Sequence, residues 1–331
     1  MAKLRLEDVA EAAGVSKATV SRVINRRGYL SKKTINLVER TMKELNYRPN
    51  AIAQQMTTGK TQLIGILVPN VANPFFGELA STLENHLFKM GYKVLVGNAQ
   101  NDAAKESRYL QQLLNHQVDA LIIATHNHNI EEYQNANLPI IAIDRYLRQD
   151  IPVIQSDNYA GAKLATETLI ERGATKIVHT DNLPSNQHDT QRKEAYEATM
   201  RAHRLTPITY LTDFYGDQAQ RVATFNQLFD EHPDVNGIFA SNDTDAALLL
   251  QIARQRNYRL PDDLQIIGYD GTQASQLLAP DLATIVQPIA KMANATIDLL
   301  ELQLKKQTLP ASVILPVTLR EGTTLRKNKR R

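Results

Sequence analysis

The stretch Leu6–Asn25, LEDVAEAAGVSKATVSRVIN, predicts two short helices joined by a tight turn. Apolar residues recur at helical spacing before Gly14, and a helix readily ends there because glycine tolerates positive φ. Ser16 follows at an N-cap position, where its hydroxyl can accept a free N–H of the second helix. That helix has one apolar face, and its other face carries Lys17, Ala18, Ser21 and Arg22. Such a face suits the DNA major groove, although a helical hairpin with a solvated basic face has the same pattern.

The length and composition of the chain limit its class. A chain of 331 residues suits two or three domains, and its 43% apolar share is enough to form their cores. It contains no cysteine, so neither a disulfide framework nor a cysteine-ligated metal site is expected. Its first residues do not resemble a signal peptide, and no apolar run approaches the ~18 residues that a membrane helix needs. We therefore expect a cytoplasmic protein with no membrane partner.

Positive charge is concentrated at the start of the chain. Residues 1–60 contain 12 lysines and arginines against 5 acidic residues, whereas the remainder contains 26 against 30. A basic head and a mildly acidic body are expected when only the head meets nucleic acid. A second basic run, residues 326–331, ends the sequence, and we interpret it as a solvated tail.

The next segments complete a small helical domain and lead out of it. Ser31 can cap a third helix, Lys32–Leu45, which closes a helix-turn-helix domain over residues 1–46. Residues 47–60 then form a hinge and linker, in which one more helix would span Ala51–Thr57. That helix is far shorter than the ~12–15 residues at which an isolated helix becomes marginally stable. We expect it to form when paired with its twin in a dimer or against DNA.

From Leu63 onward the sequence alternates between apolar, strand-like runs and amphipathic helical segments. This alternation predicts an α/β architecture with parallel sheets flanked by helices. The strands are too many for one comfortable sheet, so we expect a body of two lobes within residues 61–325. Lobe one takes residues 61–156 and 288–309, and lobe two takes residues 157–287 and 310–325.

Polar and aromatic side chains follow the predicted strands, where ligands bind in open α/β sheets. They are Asn73, Phe75, Phe76, Asp144, Arg145, Asn242, Asp270 and Gln287. Carboxylates, amides and a guanidinium can pair with sugar hydroxyls, and phenyl rings can cover the C–H faces of a sugar ring, so this set predicts a carbohydrate pocket. Structural roles stay open as well. Asn73 can cap a helix, the phenylalanines can be core residues, and Asp144 and Arg145 can form an ion pair.

No other chemistry is indicated by the sequence. His126 and His128, with His116 nearby, lack the carboxylates or cysteines of a closed metal site. There is no phosphate-binding G-x-x-x-x-G-K-[ST] loop and no G-x-S-x-G nucleophile motif. We therefore expect no metal, no cofactor and no enzymatic activity.

The N-terminal motif resembles the head of the LacI/GalR repressor family. The shared pattern D-V-A-x-x-A-G-V-S-x-x-T-V-S-R-V-I-N runs from Asp8 to Asn25 without a departure. The resemblance implies a helix-turn-helix head whose second helix reads operator DNA. Base edges would be read by Lys17, Ala18 and Arg22, and phosphates would be held by Ser16, Thr19, Ser21 and Asn25.

The same family has a hinge motif, Y-x-P-N-x-x-A, which this chain matches at Tyr47, Pro49, Asn50 and Ala53. The match implies a hinge helix that enters the minor groove and wedges an apolar side chain between central base pairs. Met56 occupies the wedge position, where leucine is usual, and the alternative is a linker residue packed on the body. Gln54 departs from the arginine found there in many members.

The body resembles the effector domain of this family and the related periplasmic monosaccharide binders. The resemblance implies that the strand-end residues contact a ligand, together with Arg192 and Phe214. Ala195 departs from the usual glycine after Arg192, and residues 181–189 fit the pattern poorly. Ala124–Gln134 and Leu138–Leu147 most resemble sucrose-operon repressors of Gram-positive bacteria, which implies sucrose, fructose or a phosphate of either as effector.

Together these observations predict a dimeric transcriptional repressor whose head reads a palindromic operator and whose body senses a small sugar. Ligand and DNA would favour different lobe arrangements and so change each other's affinity. Three alternatives stay open. They are a global carbon-control regulator whose corepressor is a phosphoprotein, a regulator that responds to a purine or nucleoside, and a solute-binding receptor.

Overall fold

The computed structural model describes residues 4–25, 27–49, 55, 59–100, 102–115, 117–125, 127, 130–134, 136–182, 191–213, 216–310 and 312–327. The chain divides into two compact units, residues 1–61 and 62–331. The first contains the predicted helical head, and the second contains the predicted α/β body.

The described part of the first unit contains helices α1 (Leu6–Ala12), α2 (Lys17–Ile24) and α3 (Lys32–Glu44). Gly14 has φ +63° in the turn between α1 and α2, which is the conformation that its place in the sequence predicts. Ser16 caps α2 and Ser31 caps α3, each by accepting a backbone N–H at 3.1 Å. The helices bury their apolar faces against one another in a core that includes Val9, Val20 and Val38.

The predicted hinge helix falls outside this description. Of the segment Ala51–Thr57, only Gln55 is among the described residues. Three of the predicted DNA contacts are therefore also outside them, namely Asn50, Ala53 and Met56. Before the hinge, α3 ends one residue earlier than predicted, with Leu45 as its C-cap residue.

In the second unit strands and helices alternate, as the sequence predicts. The first part contains β1 (Leu63–Val68), α4 (Pro74–Lys89), β2 (Lys93–Asn98), α5 (Ala103–Leu114), β3 (Ala120–Ile123), a 3-10 turn (Glu131–Tyr133), β4 (Ile140–Ile143) and β5 (Val153–Ser156). The middle part contains α6 (Asn158–Glu171), β6 (Ile177–Asn182), α7 (Gln191–Ala202), β7 (Ile208–Thr212), α8 (Gln218–Glu231), β8 (Gly237–Phe239), α9 (Asp243–Gln255) and β9 (Gln265–Asp270). The last part contains α10 (Gln273–Leu278), β10 (Ala283–Val286), α11 (Ile289–Leu304), β11 (Ser312–Leu315) and β12 (Thr318–Arg320).

The described strands form two six-stranded sheets, each at the centre of one lobe. The lobe-one sheet has the order β11-β5-β4-β3-β1-β2, and its neighbouring strands are all parallel. The lobe-two sheet has the order β12-β10-β9-β8-β6-β7, in which β12 is antiparallel to β10. The central strands are continuous apolar runs, such as IIAI in β4, because both faces of the sheet are covered. The predicted fold class is confirmed.

The two lobes are joined where the chain leaves β5, β10 and β11. After β10 the chain returns to lobe one, where α11 packs against α4. The expectation that residues 310–325 belong to lobe two is wrong for β11, which pairs in parallel with β5 from Ser312↔Val153 to Leu315↔Ser156. Pro316 has no N–H to continue this pairing, and the chain joins lobe two only with β12.

Candidate ligand site and nucleic-acid interface

Arg192 is joined directly to side chain and backbone groups of lobe two and, through Asn158, to a strand end of lobe one. Its Nε donates to Oδ1 of Asn158 at 2.8 Å, and its Nη1 donates to the carbonyl oxygen of Ser241 at 2.7 Å. Nδ2 of Asn158 in turn donates to Oδ1 of Asp144 at 3.4 Å. Asp144 follows β4 in lobe one, whereas Arg192 lies on α7 in lobe two. The contact therefore crosses between the lobes at the carboxyl ends of parallel strands, where the sequence predicts a ligand site.

Tyr269 restrains the orientation of Arg192. The guanidinium carbon lies 3.6 Å from the centre of the Tyr269 ring, which is a cation–π contact. Tyr269 lies on β9 and is completely buried, and Gly161 on α6 makes room for it. A Cβ at position 161 would lie 2.6 Å from the Tyr269 hydroxyl oxygen. The stacked ring keeps the guanidinium in one plane, so its donors reach Asn158 and Ser241.

Asp270 and Gln287 form a second hydrogen-bonded chain between the lobes. Nε2 of Gln287 donates to Oδ1 of Asp270 at 2.8 Å. The hydroxyl of Ser156 donates to Oε1 of Gln287 at 2.7 Å. Ser156 ends β5 in lobe one and Asp270 ends β9 in lobe two, so Gln287 bridges two strand ends of different lobes.

Asp144 and Asp270 share an uncommon backbone conformation. Their φ angles are 53° and 110°, in a region that residues other than glycine seldom adopt. Strained backbone of this kind concentrates at functional sites, where the surrounding structure holds it in place. Both residues are carboxylates at the ends of parallel strands, so the strain supports a site at this edge of the sheets.

Burial raises the pKa values of these two carboxyl groups. The pKa of Asp144 rises to about 6, because burial outweighs the attraction of the Arg192 guanidinium. The pKa of Asp270 rises to about 8; burial is again the main cause, Arg192 opposes it and the nearby Asp243 carboxyl reinforces it. Carboxyl groups that ionise near neutral pH can donate or accept hydrogen bonds, which suits the hydroxyl groups of a sugar.

Arg145 lies apart from this cluster. Its Nη1 donates to the carbonyl oxygen of Thr125 at 2.7 Å, and its Nη2 donates to the carbonyl oxygen of Asn127 at 2.5 Å. Nη1 also lies 3.5 Å from Oε1 of Glu106, whose side chain is completely buried. The ion pair of Arg145 is therefore made with Glu106 and not with Asp144, because the guanidinium points into lobe one.

Two of the predicted ligand residues cap helices. Oδ1 of Asn73 accepts the backbone N–H of Phe75 at 2.8 Å at the start of α4. Oδ1 of Asn242 accepts the backbone N–H of Asp245 at 2.8 Å at the start of α9. The cap role of Asn73 was one of the alternatives that the sequence left open. A ligand contact by either asparagine stays a prediction.

Two of the three aromatic side chains predicted to contact the ligand are buried in lobe one. Phe75 and Phe76 belong to the core of lobe one, and their rings meet edge to face with centroids 5.1 Å apart. Phe214, the third predicted aromatic, lies outside the described residues. The core role is therefore the one that the structure gives to Phe75 and Phe76.

Sequence reasoning missed the residues that connect the site. They are Ser156, Asn158, Ser241 and Tyr269, and Glu106, which holds Arg145 outside the cluster, was missed as well. The short β5 was not predicted, and with it the run S-D-N at 156–158 would have stood among the strand ends. Ser241 and Tyr269 directly precede residues that were predicted. Glu106 had no local signal, since its contacts with residues 125, 127, 133 and 145 are all tertiary.

The outer face of α2 carries the predicted base-reading residues. Lys17, Ala18 and Arg22 are exposed. Lys17 forms an ion pair with Glu7 of α1, and this hydrogen bond lowers the pKa of Glu7. Because both side chains are exposed, the pair contributes little to stability, and DNA can replace it. The structure places a basic, exposed helix face where the sequence predicts a groove-reading helix.

The residues predicted to hold phosphates make local contacts. Thr19 Oγ1 lies 2.9 Å from the hydroxyl of Ser16, and Nδ2 of Asn25 donates to the hydroxyl of Ser21 at 3.3 Å. Tyr47 packs against the helical core, and burial raises its pKa. Contacts of these residues with DNA stay predictions.

We also searched the described residues for metal-binding clusters and membrane-spanning helices. Within the described ranges, no group of three or more histidine, aspartate or glutamate side chains could hold a metal ion. His116, His126 and His128 are outside those ranges. Over the same part of the chain, no helix has the length and apolar character to cross a membrane.

The two units match two protein families. Residues 5–50 match the bacterial regulatory proteins of the lacI family. Residues 61–320 match the family of periplasmic binding proteins and the sugar binding domain of the LacI family. Each match falls on the unit for which the sequence motifs predict it.

Individual relatives extend over nearly the whole chain. The sucrose operon repressor of Pediococcus pentosaceus is 41% identical over 325 residues, which are 97% of this chain and 99% of that protein. The ribose operon repressor of Halalkalibacterium halodurans is 39% identical over 304 residues, 92% of this chain and 91% of that protein. A solved lac repressor dimer, bound to operator and the anti-inducer ONPF, has a TM-score of 0.87 at 26% identity, covering 98% of this chain and 100% of that one. This chain belongs to the lacI family of bacterial regulatory proteins.

Proposed function

We propose that this protein is a DNA-binding transcriptional repressor that responds to a sugar and controls a carbohydrate-utilisation operon. The observation that carries the proposal is the Asp144–Asn158–Arg192 contact, which joins polar side chains of both lobes at their strand ends. The same chain carries the exposed basic face of α2, so one polypeptide combines a candidate ligand site with a candidate DNA-reading helix. The operon repressors to which the chain is similar support this combination.

A small carbohydrate is the effector class that the site chemistry supports. Asp144, Asp270, Arg192 and Gln287 together offer donors and acceptors for several hydroxyl groups. Asn73, Arg145, Asn242 and the phenyl rings of Phe75 and Phe76 would complete the contacts if a bound sugar reorganises this edge. The similar repressors are named for sucrose and for ribose, so both a disaccharide and a monosaccharide are within the proposed class.

The sugar would change operator affinity through the arrangement of the lobes. Hydrogen bonds now join Asn158 to Asp144 and Gln287 to Ser156, and a sugar that inserts its hydroxyl groups must replace some of them. Effector and DNA then affect each other's affinity by the same factor. Residues 51–57 are the proposed link, because a helix this short forms only when something packs against it.

We propose that the repressor acts as a cytoplasmic homodimer on a palindromic operator. Leu277 and Leu278 of α10 are 81% and 86% exposed, and Leu95 and Val96 are exposed on the edge strand β2. Large apolar side chains at a surface are typical of protein–protein contacts. Two helix-turn-helix heads are needed to read the two half-sites of a palindrome. The similar lac repressor structure is a dimer on its operator.

A mobility-shift assay with promoter fragments from the same genome tests this proposal. We expect one fragment to bind at nanomolar protein concentration, and the affinity to change at least about tenfold when sucrose, D-fructose or D-ribose is present. Failure to bind any fragment at low salt, where phosphate contacts are strongest, would overturn the repressor assignment. Binding that no sugar or sugar phosphate alters would overturn the effector class alone.

A further inference from the structure

Glu106 gathers three loops of lobe one around a single buried carboxylate. Its Oε1 accepts from the hydroxyl of Thr125 and its Oε2 accepts from Nδ2 of Asn127, both at 2.6 Å. The hydroxyl of Tyr133 also donates to Oε1. Arg145 adds its positive charge at 3.5 Å. The donors follow β3, lie in the 3-10 turn and follow β4, so they come from the carboxyl edge of the lobe-one sheet.

Fold stability does not explain this arrangement well. A carboxylate with no exposed surface loses its hydration, and well-packed apolar residues in place of a buried ion pair often give equal or greater stability. The same network does fix geometry, because each donor has one preferred direction towards the carboxylate oxygens. The network therefore acts on the position of the groups that it holds.

The network holds the Arg145 guanidinium through several hydrogen bonds and an aromatic contact. Nη1 and Nη2 donate to the carbonyl oxygens of Thr125 and Asn127, and Nη1 also lies 3.0 Å from the Thr125 hydroxyl. The ring of Tyr133 covers the guanidinium, with the carbon 5.5 Å from the ring centre. Both residues that supply these carbonyl groups are themselves bound to Glu106 by their side chains. Glu106 therefore fixes the guanidinium directly by charge and indirectly through its partners.

We propose that Glu106 is a positioning residue for the effector, and that it acts through Arg145. The inference rests on the proposed sugar-binding function. A guanidinium has five N–H donors in a rigid plane, and the contacts above leave the Nε–H and one N–H of Nη2 unused among the described residues. Arg145 directly follows Asp144, which belongs to the contact between the lobes. Glu106 thus sets the direction in which the remaining donors of Arg145 meet a sugar hydroxyl.

Calorimetric titration of the full-length protein with sucrose and with D-ribose tests this role. The variants are Glu106→Gln, which removes the charge at constant shape, and Arg145→Gln. The double variant completes a double-mutant cycle, which measures whether the two residues act together. Glu132→Gln is the matched control, because Glu132 also joins α5 to the 3-10 turn, through Ser107 and Gln111, without contacting Arg145. Thermal unfolding of each variant reports its stability separately.

We expect each single variant in the cycle to weaken binding of the recognised sugar at least about tenfold. The double variant should be no more than about twofold weaker than Arg145→Gln, because Glu106 acts through that residue. The Glu132→Gln control should bind within about twofold of the wild type. If Glu106→Gln does not fold, Thr125→Val removes one donor to Glu106 at nearly constant shape, and it should weaken binding in the same way.

Three results would overturn the proposal. The first is a folded Glu106→Gln or Thr125→Val protein that binds the sugar as tightly as the wild type. The second is a double variant whose loss is the product of the two single losses, since independent residues give that result. The third is a wild-type protein that binds neither of these sugars nor any other sugar or sugar phosphate, which overturns the proposed effector class as well. The first two leave that class intact, so the two failures are distinguishable.

Discussion

The side chain of Glu78 joins the two lobes apart from their covalent connections. Its Oε2 accepts the backbone N–H of Gln273 at 2.8 Å. Glu78 lies on α4 in lobe one, and Gln273 is the first residue of α10 in lobe two. The first N–H groups of a helix have no partner within the helix, so a carboxylate placed there is stabilising. This hydrogen bond must break when the lobes separate at this edge.

Replacement of Glu78 by alanine should loosen the start of α10. We expect the amide of Gln273 to exchange with solvent at least about fivefold faster in Glu78→Ala, because its acceptor is gone. Hydrogen exchange measured by mass spectrometry on a peptide covering residues 271–278 checks this. Glu84→Ala on the same helix is the control, and it should leave that peptide unchanged. Equal exchange in Glu78→Ala and the wild type would mean that the contact does not hold the lobes together.

Removal of the Arg22 side chain should relax operator selectivity. Arg22 is exposed on the outer face of α2, where a guanidinium can pair with a guanine edge. We expect Arg22→Ala to lose about 1–3 kcal/mol of discrimination at one base pair of each half-site. Selection of bound sequences from a random pool measures this directly. Lys33→Ala, which removes an exposed cation from α3, should retain the sequence preference, and an unchanged preference in Arg22→Ala would remove that residue from base readout.

The raised pKa of Asp270 makes stability depend on pH with a defined sign. The group titrates at 3.8 in its ordinary state and at about 8 when folded, so the folded protein binds the proton more tightly. The free energy of unfolding therefore falls as the pH rises from about 4 to about 8. Above about pH 8 this group causes no further change.

Asparagine at position 270 mimics the protonated carboxyl group, so Asp270→Asn should not lose stability through this group as the pH rises. We expect the difference in unfolding temperature between Asp270→Asn and the wild type to be at least about 3 °C larger at pH 8 than at pH 4. A pKa shift of one unit corresponds to about 1.4 kcal/mol, and 1 kcal/mol of stability to about 2–4 °C in unfolding temperature. Calorimetric scans at several pH values measure it. Asp298→Asn, at an exposed position of α11, should run parallel to the wild type. Parallel curves for Asp270→Asn would show that its carboxyl titrates normally.

Asn242 can be tested for its two roles separately. Asn242→Ala should lower stability by about 1 kcal/mol, because the N–H of Asp245 loses its acceptor at the start of α9. Asn242→Ser keeps a capping oxygen and should restore most of that loss. If the side chain also binds the sugar, neither variant should bind it well, since serine lacks the amide. Sugar affinity that returns together with the unfolding temperature in Asn242→Ser would assign Asn242 to the helix cap alone.

A charge on the exposed face of α10 should separate the proposed dimer. Leu278 is 86% exposed in the single chain, and we expect Leu278→Lys to give the 37.1 kDa mass of one chain in light scattering. The matched control is Ile314→Lys, because Ile314 is 57% exposed on the edge strand β11 and is not part of the proposed interface. A dimer that persists in Leu278→Lys would place the interface elsewhere.

Local patterns predicted most of the elements because their causes are local. Helix caps at Ser16 and Ser31 follow from the serine hydroxyls, and the alternation after Leu63 follows from burial of apolar strands on both faces. The strand β11 was assigned to the wrong lobe because its pairing with β5 joins residues far apart in sequence. Sequence patterning identifies a strand but does not choose its neighbour.

Several residues of the candidate site were also predicted from the sequence, but their contacts were not. Asp144, Arg192, Asp270 and Gln287 were named from the sequence, and the structure brings them to the contacts between the lobes. The sequence left open an ion pair of Arg145 with Asp144, yet the guanidinium turns towards Glu106. The choice between two acceptors depends on which carboxylate is buried within reach, and a residue 39 positions away in sequence supplies it.

The sequence by itself determined the two-part organisation of this protein, its helix-turn-helix head, the α/β class of its body and the list of polar residues that follow strands. These features depend on side-chain type and on periods of two to four residues, which are written along the chain. Only the tertiary structure decided which of those residues meet across the lobes, which of them cap helices, and that Glu106 holds Arg145. Such contacts depend on distances between segments remote in sequence, and no local pattern encodes them.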